Sequence, residues 1–122
     1  MEYTTLAKNV RVGPRKLRLV ADFVRGLPAQ EALDKLSFLI KSGAEPVTKA
    51  LKSAIANSKL KQEDLKIKNI LINEGIKMKR RDKSHGARFG GGVIHKRTSH
   101  IKVILTDEKE IKSQNSKVKN PS

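Results

Sequence analysis

The sequence predicts an α+β fold: a small three-stranded antiparallel sheet with three helices on one face and a long protruding β-hairpin arm. Two observations lead to this prediction. Helical periodicity occupies the chain from Pro14 to Ile55, and β-rich runs at 65–73 and 101–106 flank a long basic stretch at 77–100. Because the arm joins the last two strands, they must pair antiparallel. The N-terminal strand most simply completes the sheet.

Length and charge limit the functional classes. The 122 residues suffice for one domain, and the 27 Lys and Arg against 12 Asp and Glu give a net charge of +15. Nucleic acid is the most common neutralising partner for such a chain, and a membrane surface is the second candidate. The absence of cysteine excludes disulfides and thiolate chemistry. No segment resembles a signal peptide or a membrane span, so we expect a soluble cytoplasmic protein.

The first strand and first helix follow from local pattern. Residues Glu2–Val10 suit a half-exposed edge strand, and Pro14 suits the first turn of a helix. Apolar residues at helical spacing then predict one buried face, formed by Leu17, Val20, Ala21 and Val24. Only Asp22 balances the cations around that face, which favours a phosphate-facing surface over a merely solvated one. These cations are Arg11, Arg15, Lys16, Arg18 and Arg25.

Two further helices are interpreted as scaffold. Gly26 ends the first helix, Pro28 starts the second, and Ser42-Gly43 separates the second from the third. The predicted apolar stripe of the second helix is Ala29, Ala32, Leu33, Leu36 and Ile40. The third helix begins near Ala44. Its predicted inner face consists of Val47, Ala50, Leu51, Ala54 and Ile55. The small residues Ala50, Ala54 and Ala56 are expected to allow close packing against a neighbour.

The remaining chain predicts two strands and the arm. Alternation begins at Leu65 and slips at Asn69-Ile70, which indicates a β-bulge or a strand covered on both faces. Asn73-Glu74-Gly75 ends this strand or bends it into the arm. Ile101, Val103 and Leu105 alternate along the returning strand. We therefore assign one domain to residues 1–107, including the arm at about 77–98, and a polar tail, expected to be disordered, to 108–122.

The basic stretch is the candidate binding element. It holds eight Lys or Arg, one acid (Asp82) and all three histidines. Its apolar side chains are too sparse for a core, so we interpret it as an arm that contacts polyanion; a disordered basic loop is the alternative. The glycines at 86–92 allow positive φ and close backbone approach or, equally, simple flexibility. They do not form a P-loop, because the Gly-Lys-Ser/Thr ending is absent.

Catalytic signals are weak. A zinc site from His85, His95 and His100 is disfavoured because the three lie far apart in sequence without an acidic cluster. His100, beside the strand, is better explained as a structural residue. No Ser-His-Asp set is arguable, so we expect neither an enzyme nor a cofactor.

The type of nucleic acid is indicated by the scarcity of aromatics. Only Tyr3, Phe23, Phe38 and Phe89 are aromatic, whereas single-strand platforms interleave aromatics with cations. We therefore expect recognition of backbone and shape in folded RNA or a duplex. A DNA-compacting architectural protein is the rival hypothesis. A membrane-surface binder is disfavoured because the basic helix faces lack Trp or Phe anchors.

Six short motifs resemble one family. They are KLRLVAD (16–22), VRG (24–26), SAIAN (53–57), NEG (73–75), MKR (78–80) and KRTSH (96–100). In this order and with near-family spacing, they are similar to the bacterial family of ribosomal large-subunit protein twenty-two, from about Tyr3 to Asp107. The resemblance implies a compact α+β domain near the exit of the peptide tunnel. It also implies a hairpin that reaches through ribosomal RNA, supports assembly and lines the tunnel beside the nascent chain.

The resemblance also implies partners and site residues. The expected partners are 23S rRNA, neighbouring large-subunit proteins and the nascent peptide, with no membrane and no small-molecule substrate. The tip departs from the family's Pro-Arg-Ala-x-Gly-Arg-Ala-like stretch, and its candidates are Gly86, Arg88, Phe89, Gly90 and Gly91. In the globular domain, the predicted rRNA-binding residues are Lys8, Arg11, Arg15, Lys16, Arg18 and Arg25. In the arm they are Lys77, Lys79, Arg80, Arg81, Lys83, His85, Arg88, His95, Lys96 and Arg97.

Overall fold

One antiparallel sheet organises the molecule. The computed structural model describes residues 1–83 and 92–107. The strands β1 (Glu2–Val10), β2 (Leu65–Arg81) and β3 (Val93–Asp107) are arranged in the order β1-β3-β2, with β3 in the centre. Both pairings are antiparallel. The predicted three-stranded sheet, with β1 at one edge, is confirmed.

Three helices lie between β1 and β2 in the sequence. They are α1 (Pro14–Val24), α2 (Ala29–Phe38) and α3 (Ala44–Ser58), and a short 3₁₀ turn at Gln62–Asp64 leads into β2. Proline starts α1 as predicted, because its missing N–H is not needed in a first helical turn. Gly26 follows the end of α1 with φ of +82°, a left-handed conformation that glycine adopts without strain.

The helices cover one face of the sheet and form a continuous aliphatic core with it. The predicted inner faces of α1 and α3 are all buried. From the sheet, Ile101, Val103 and Leu105 of β3 are fully buried, which confirms the alternation predicted for that strand. The sheet side of the core is completed by Leu65, Ile67, Ile70 and Ile72 of β2.

Two predictions about the helices were wrong. Helix α2 ends at Phe38, and Ile40 is 96% exposed in the following connection rather than part of the buried stripe. Leu39 leaves the helical region with ψ of 118°, so the 3.6-residue period no longer applies at Ile40. Ala56 is also exposed. Its near neighbours in the sequence, Ile55 and Ser58, are buried, but Ala56 lies on the outer side of α3.

Irregularities in the β-ladders occur where the sequence pattern slips. The register of β2 against β3 shifts between Ile67 and Asn69, which supports the β-bulge over the alternative of a strand covered on both faces. It shifts again between Glu74 and Lys77, so the NEG motif bends β2 at the point where it enters the arm, without ending the strand. A third shift, in β1, lies beside Asn9, which has φ of 58°.

The arm is a two-stranded extension of the same ladder. β2 and β3 pair from Leu65 opposite Asp107 outward to Arg81 opposite Val93. Beyond that pair, the amide of Asp82 donates to the carbonyl of Gly92 at 2.9 Å. Residues 84–91, which include His85 and all the predicted tip residues, and the tail 108–122 lie outside the described residues. Within the part of the chain that is described, no helix is long and apolar enough to cross a membrane.

A close contact at Gly75 leads to a stability prediction. A Cβ on Gly75 would lie 2.5 Å from Oγ1 of Thr98 and 3.1 Å from its backbone C and O. That hydroxyl is held in place because it donates to the carbonyl of Ile76 at 2.7 Å. We expect Gly75→Ala to lower the free energy of unfolding by about 1–3 kcal/mol, measured by urea denaturation.

Gly13 provides the matched control. It has φ of −64° and an added Cβ would meet nothing within 4 Å. Gly13→Ala should therefore leave stability unchanged or raise it slightly, by at most about 1 kcal/mol. Equal stabilities for the two variants would contradict the close packing of β2 on Thr98.

Candidate nucleic-acid interface

A basic cleft lies where the arm leaves the globular domain. Its volume is about 530 Å³. One wall is formed by the β1–α1 connection and the first turn of α1, the other by residues 95–97 of β3, and Ser42 adds to the lining. Five of the predicted cations and one predicted histidine meet in this cleft: Arg11, Arg15, Lys16, His95, Lys96 and Arg97. The fold thus brings together residues that are about eighty positions apart in the sequence.

Three long-range hydrogen bonds hold the cleft walls together. Nη1 of Arg11 donates to the carbonyl of Arg97 at 2.8 Å. The hydroxyl of Ser99, which is fully buried, donates to the carbonyl of Val12 at 2.7 Å. The amide of Asn9 donates to Nδ1 of His100 at 3.2 Å, which gives this histidine the structural role that we predicted. The chain after β1 is therefore fastened to β3 at the root of the arm.

The electrostatics of the cleft favour an anion. Among the described residues, those that line it include no Asp or Glu. Helix α1 begins there with no acidic residue in its first turn and no side-chain hydrogen bond to its N-terminus. Unpaired amides at a helix start carry partial positive charge, which adds to the field of the surrounding cations.

The arm continues the positive surface away from the cleft. Lys79 lies opposite His95, and Lys77 lies opposite Arg97. Opposite residues share a face and neighbours alternate. One arm face therefore combines Lys77, Lys79, Arg81, His95 and Arg97 with Val93, which lies opposite Arg81, and we call it the basic face. Glu74 lies beside it, with a carboxylate oxygen 4.0 Å from Nζ of Lys77.

Arg18 and Arg25 have structural contacts that the sequence did not reveal. Nη2 of Arg18 donates to the carbonyl of Ile72 at 3.3 Å, and Nη2 of Arg25 donates to the carbonyl of Ile70 at 2.8 Å. Arg25 also pairs with Asp22. Both carbonyls lie on the outer edge of β2, which has no neighbouring strand in the sheet. These arginines therefore cover a sheet edge that would otherwise expose unpaired polar groups.

The other predicted cations are exposed but lie outside the cleft. Lys8 is on β1, Arg80 is on the arm, and Lys83 follows β2. The structure therefore divides the described predicted residues into a cleft group, an arm group, two arginines bonded to β2, and Lys8, which stands apart on β1. Gly13 and Ser42 were missed as cleft residues. The only sequence signal near them was the pair of helix-breaking positions at Gly13-Pro14 and Ser42-Gly43.

Several acids of the domain pair with lysines away from the cleft centre. A hydrogen bond and charge attraction from Lys68 lower the pKa of Glu2, and Lys49 lowers the pKa of Glu45 in the same way. The Glu45–Lys49 pair spans one helical turn of α3 at 2.9 Å. In residues 1–83 and 92–107, no group of three or more His, Asp or Glu side chains could hold a metal ion.

Comparison with known proteins identifies the family. The profile described as ribosomal protein L22p/L17e matches residues 5–106. A protein of Mesoplasma florum named large ribosomal subunit protein uL22 is 42% identical over 114 residues, which cover 89% of this chain and 99% of that protein. A protein of the same name from Pediococcus pentosaceus is 42% identical over 109 residues, covering 85% of this chain and 90% of its own length.

The chain belongs to the ribosomal protein L22p/L17e family. The resemblance seen in the six sequence motifs is therefore confirmed. As a ribosomal protein, the chain is located in the cytoplasm as part of the ribosome.

The contact of Arg25 with β2 leads to a second stability prediction. Arg25→Met keeps an aliphatic stem but removes the donor to Ile70. We expect the free energy of unfolding to fall by about 1 kcal/mol, since the side chain is 40% exposed and water partly replaces the lost bond. Arg15→Met on the same helix is the control, and it should change stability by less than about 0.5 kcal/mol. Thermal unfolding followed by circular dichroism measures both, and equal losses would argue against the edge-covering role.

Proposed function

We propose that this protein is a structural constituent of the large ribosomal subunit that binds and organises 23S rRNA during assembly. We further propose that its arm lines the nascent-peptide exit tunnel. The observation that carries the proposal is the cleft, in which cations of the globular domain and of the arm converge without an acidic residue among the described lining. A phosphate bound there would touch both parts of the molecule at once.

The proposed mechanism is neutralisation between converging RNA segments. RNA domains that close on one another repel through their phosphates. A chain of net charge +15 that lies between them replaces this repulsion with attraction and releases condensed counterions. In this mechanism, Arg15 and Lys16 dock the domain while Lys77, Lys79 and Arg97 continue the contact along the arm.

The proposed recognition is of backbone and shape. No Phe, Tyr or Trp lines the cleft within the described part of the chain or lies in the described residues of the arm, and His95 is the one ring there that could stack on a base. With so few stacking surfaces, the cations bind phosphates and recognise the geometry of folded RNA rather than a base sequence. We assign this RNA recognition to a single domain, residues 1–107, in which the arm at about 77–98 is the extended part.

The role at the tunnel rests on the family resemblance and on the length of the arm. The paired strands run beyond the buried core as far as Arg81 and Val93. We propose that the tip meets the nascent peptide, with Arg88 and Phe89 as its candidate contacts and the glycines Gly86, Gly90 and Gly91 allowing close approach. Neighbouring large-subunit proteins would contact the domain surface.

The cleft generates a binding prediction. Lys16→Gln and Arg97→Gln should each weaken binding of the full chain to a 23S rRNA transcript by about fivefold, as expected for one lost phosphate contact. Each should also make the negative slope of log K against log salt shallower by about one. Filter binding across a KCl series measures both quantities.

Lys52→Gln is the control for the cleft variants. Lys52 is exposed on α3 and is not among the residues that line the cleft. It should retain wild-type affinity and salt slope. If all three variants lose affinity equally, the protein acts as a diffuse polycation, and the proposed role of the cleft is wrong.

Deletion of the arm tests the tunnel assignment. A variant that lacks residues 79–92 keeps the core of the sheet and all three helices, since every buried residue in the described part of the chain lies outside that segment. It should still sediment with the large subunit, and the tunnel should be altered in a structure of that subunit. An unchanged tunnel would contradict the assignment. In the same sedimentation experiment, a wild-type chain that travels with the chromosome instead of the subunit would favour an architectural DNA-binding protein.

A further inference from the structure

The arm has a second face whose chemistry differs from that of the basic face. Arg80 lies opposite Ile94, and Met78 lies opposite Lys96. Opposite residues share a face. Ile76, two positions before Met78, lies within the register shift at the inner end of the arm and is exposed like Met78, so we group it with these residues. We call this set, Ile76, Met78, Arg80, Ile94 and Lys96, the mixed face.

Three aliphatic side chains of the mixed face are exposed to solvent. The exposed fractions are 67% for Ile76, 46% for Met78 and 40% for Ile94. None of them belongs to the buried core or to the side chains packed against it. A two-stranded ribbon has no second layer to cover such residues, and their clustering on one face is typical of an interaction surface.

The charges around these side chains indicate the partner. Arg80 and Lys96 alternate with the aliphatic residues, and the alternation of the strands places no acid on the mixed face between positions 76 and 81 or between 93 and 98. An apolar strip bordered by cations is complementary to RNA, whose ribose and base surfaces are bordered by phosphates. The wide, shallow minor groove of an RNA helix displays sugars and base edges within reach of side chains.

We propose that the mixed face packs its aliphatic side chains against the sugar and base surfaces of an RNA minor groove, with Arg80 and Lys96 on the flanking phosphates. This inference rests on the proposed rRNA-binding function and adds a division of labour within the arm. The basic face, on which Val93 is the single aliphatic residue among those described, binds mainly through charge. The mixed face adds burial of apolar surface, which salt does not screen.

The two contributions separate in a salt titration. Lost charge contacts reduce the dependence of affinity on salt, whereas lost apolar contacts lower affinity equally at all salt concentrations. Binding of the full-length protein to a 23S rRNA transcript is measured across a KCl series for Met78→Ser and Ile94→Ser. Each should weaken binding by about tenfold with an unchanged salt slope. Lys79→Gln on the basic face should instead make the negative slope of log K against log salt shallower by about one.

Leu71→Ser is the matched control. Leu71 is an aliphatic residue of the same strand with a similar exposed fraction, 39%, but it lies on the globular part of the sheet, opposite Lys102. It should bind the transcript as the wild type does. Circular dichroism and thermal unfolding of every variant establish that the chain is folded before binding is compared.

The outcomes are distinguishable. If Met78→Ser and Ile94→Ser bind like Leu71→Ser while Lys79→Gln reduces the slope, the arm binds RNA through charge alone and the mixed-face inference is wrong. If those two variants bind naked 23S rRNA normally but enter large subunits less well, the face docks on a protein, which also overturns the inference. If the wild type shows no preference for the transcript over duplex DNA of equal length, the proposed function itself fails.

Discussion

The antiparallel ladder between β2 and β3 is the constraint on which the structure depends. Its inner part, from Leu65 to Ile72, supplies the sheet side of the core, and its outer part, from Lys77 to Arg81, forms one strand of the arm. Because the same two strands serve both purposes, the core fixes the direction in which the arm leaves the domain. The bulge between Glu74 and Lys77 marks the transition from buried to exposed alternation.

The root of the arm combines this ladder with side-chain bonds to backbone carbonyls. Arg11 and Ser99 connect β3 with the chain that follows β1, while Arg18 and Arg25 connect α1 with the edge of β2. Arginine therefore has two roles at the root of the arm. A guanidinium that donates to a carbonyl stabilises the fold. One that lines the cleft, where the described residues include no Asp or Glu, contributes to a field that favours an anion. Arg11 does both, since it lies in the cleft while it bonds Arg97.

Much of the architecture could be predicted because local patterns and tertiary packing agree. The buried faces of α1 and α3, the start of α1 at Pro14 and the bulge before Asn69 follow from periodicity and from proline geometry. The error at Ile40 arose because periodicity does not reveal where a helix ends when no strong breaker is present. The six motifs identified the family, which the matched profile over residues 5–106 confirmed.

The sequence by itself determined the composition of the arm, the excess of positive charge and the periodic core, because these depend only on residue type and spacing. The tertiary structure alone decided which cations act together. The strand register placed Lys79 and His95 on one face and Met78 and Lys96 on the other, and a shift of one residue would exchange these faces. The packing of the helices on the sheet likewise placed Lys16 and Arg97 in one cleft, because contacts between distant segments depend on that packing.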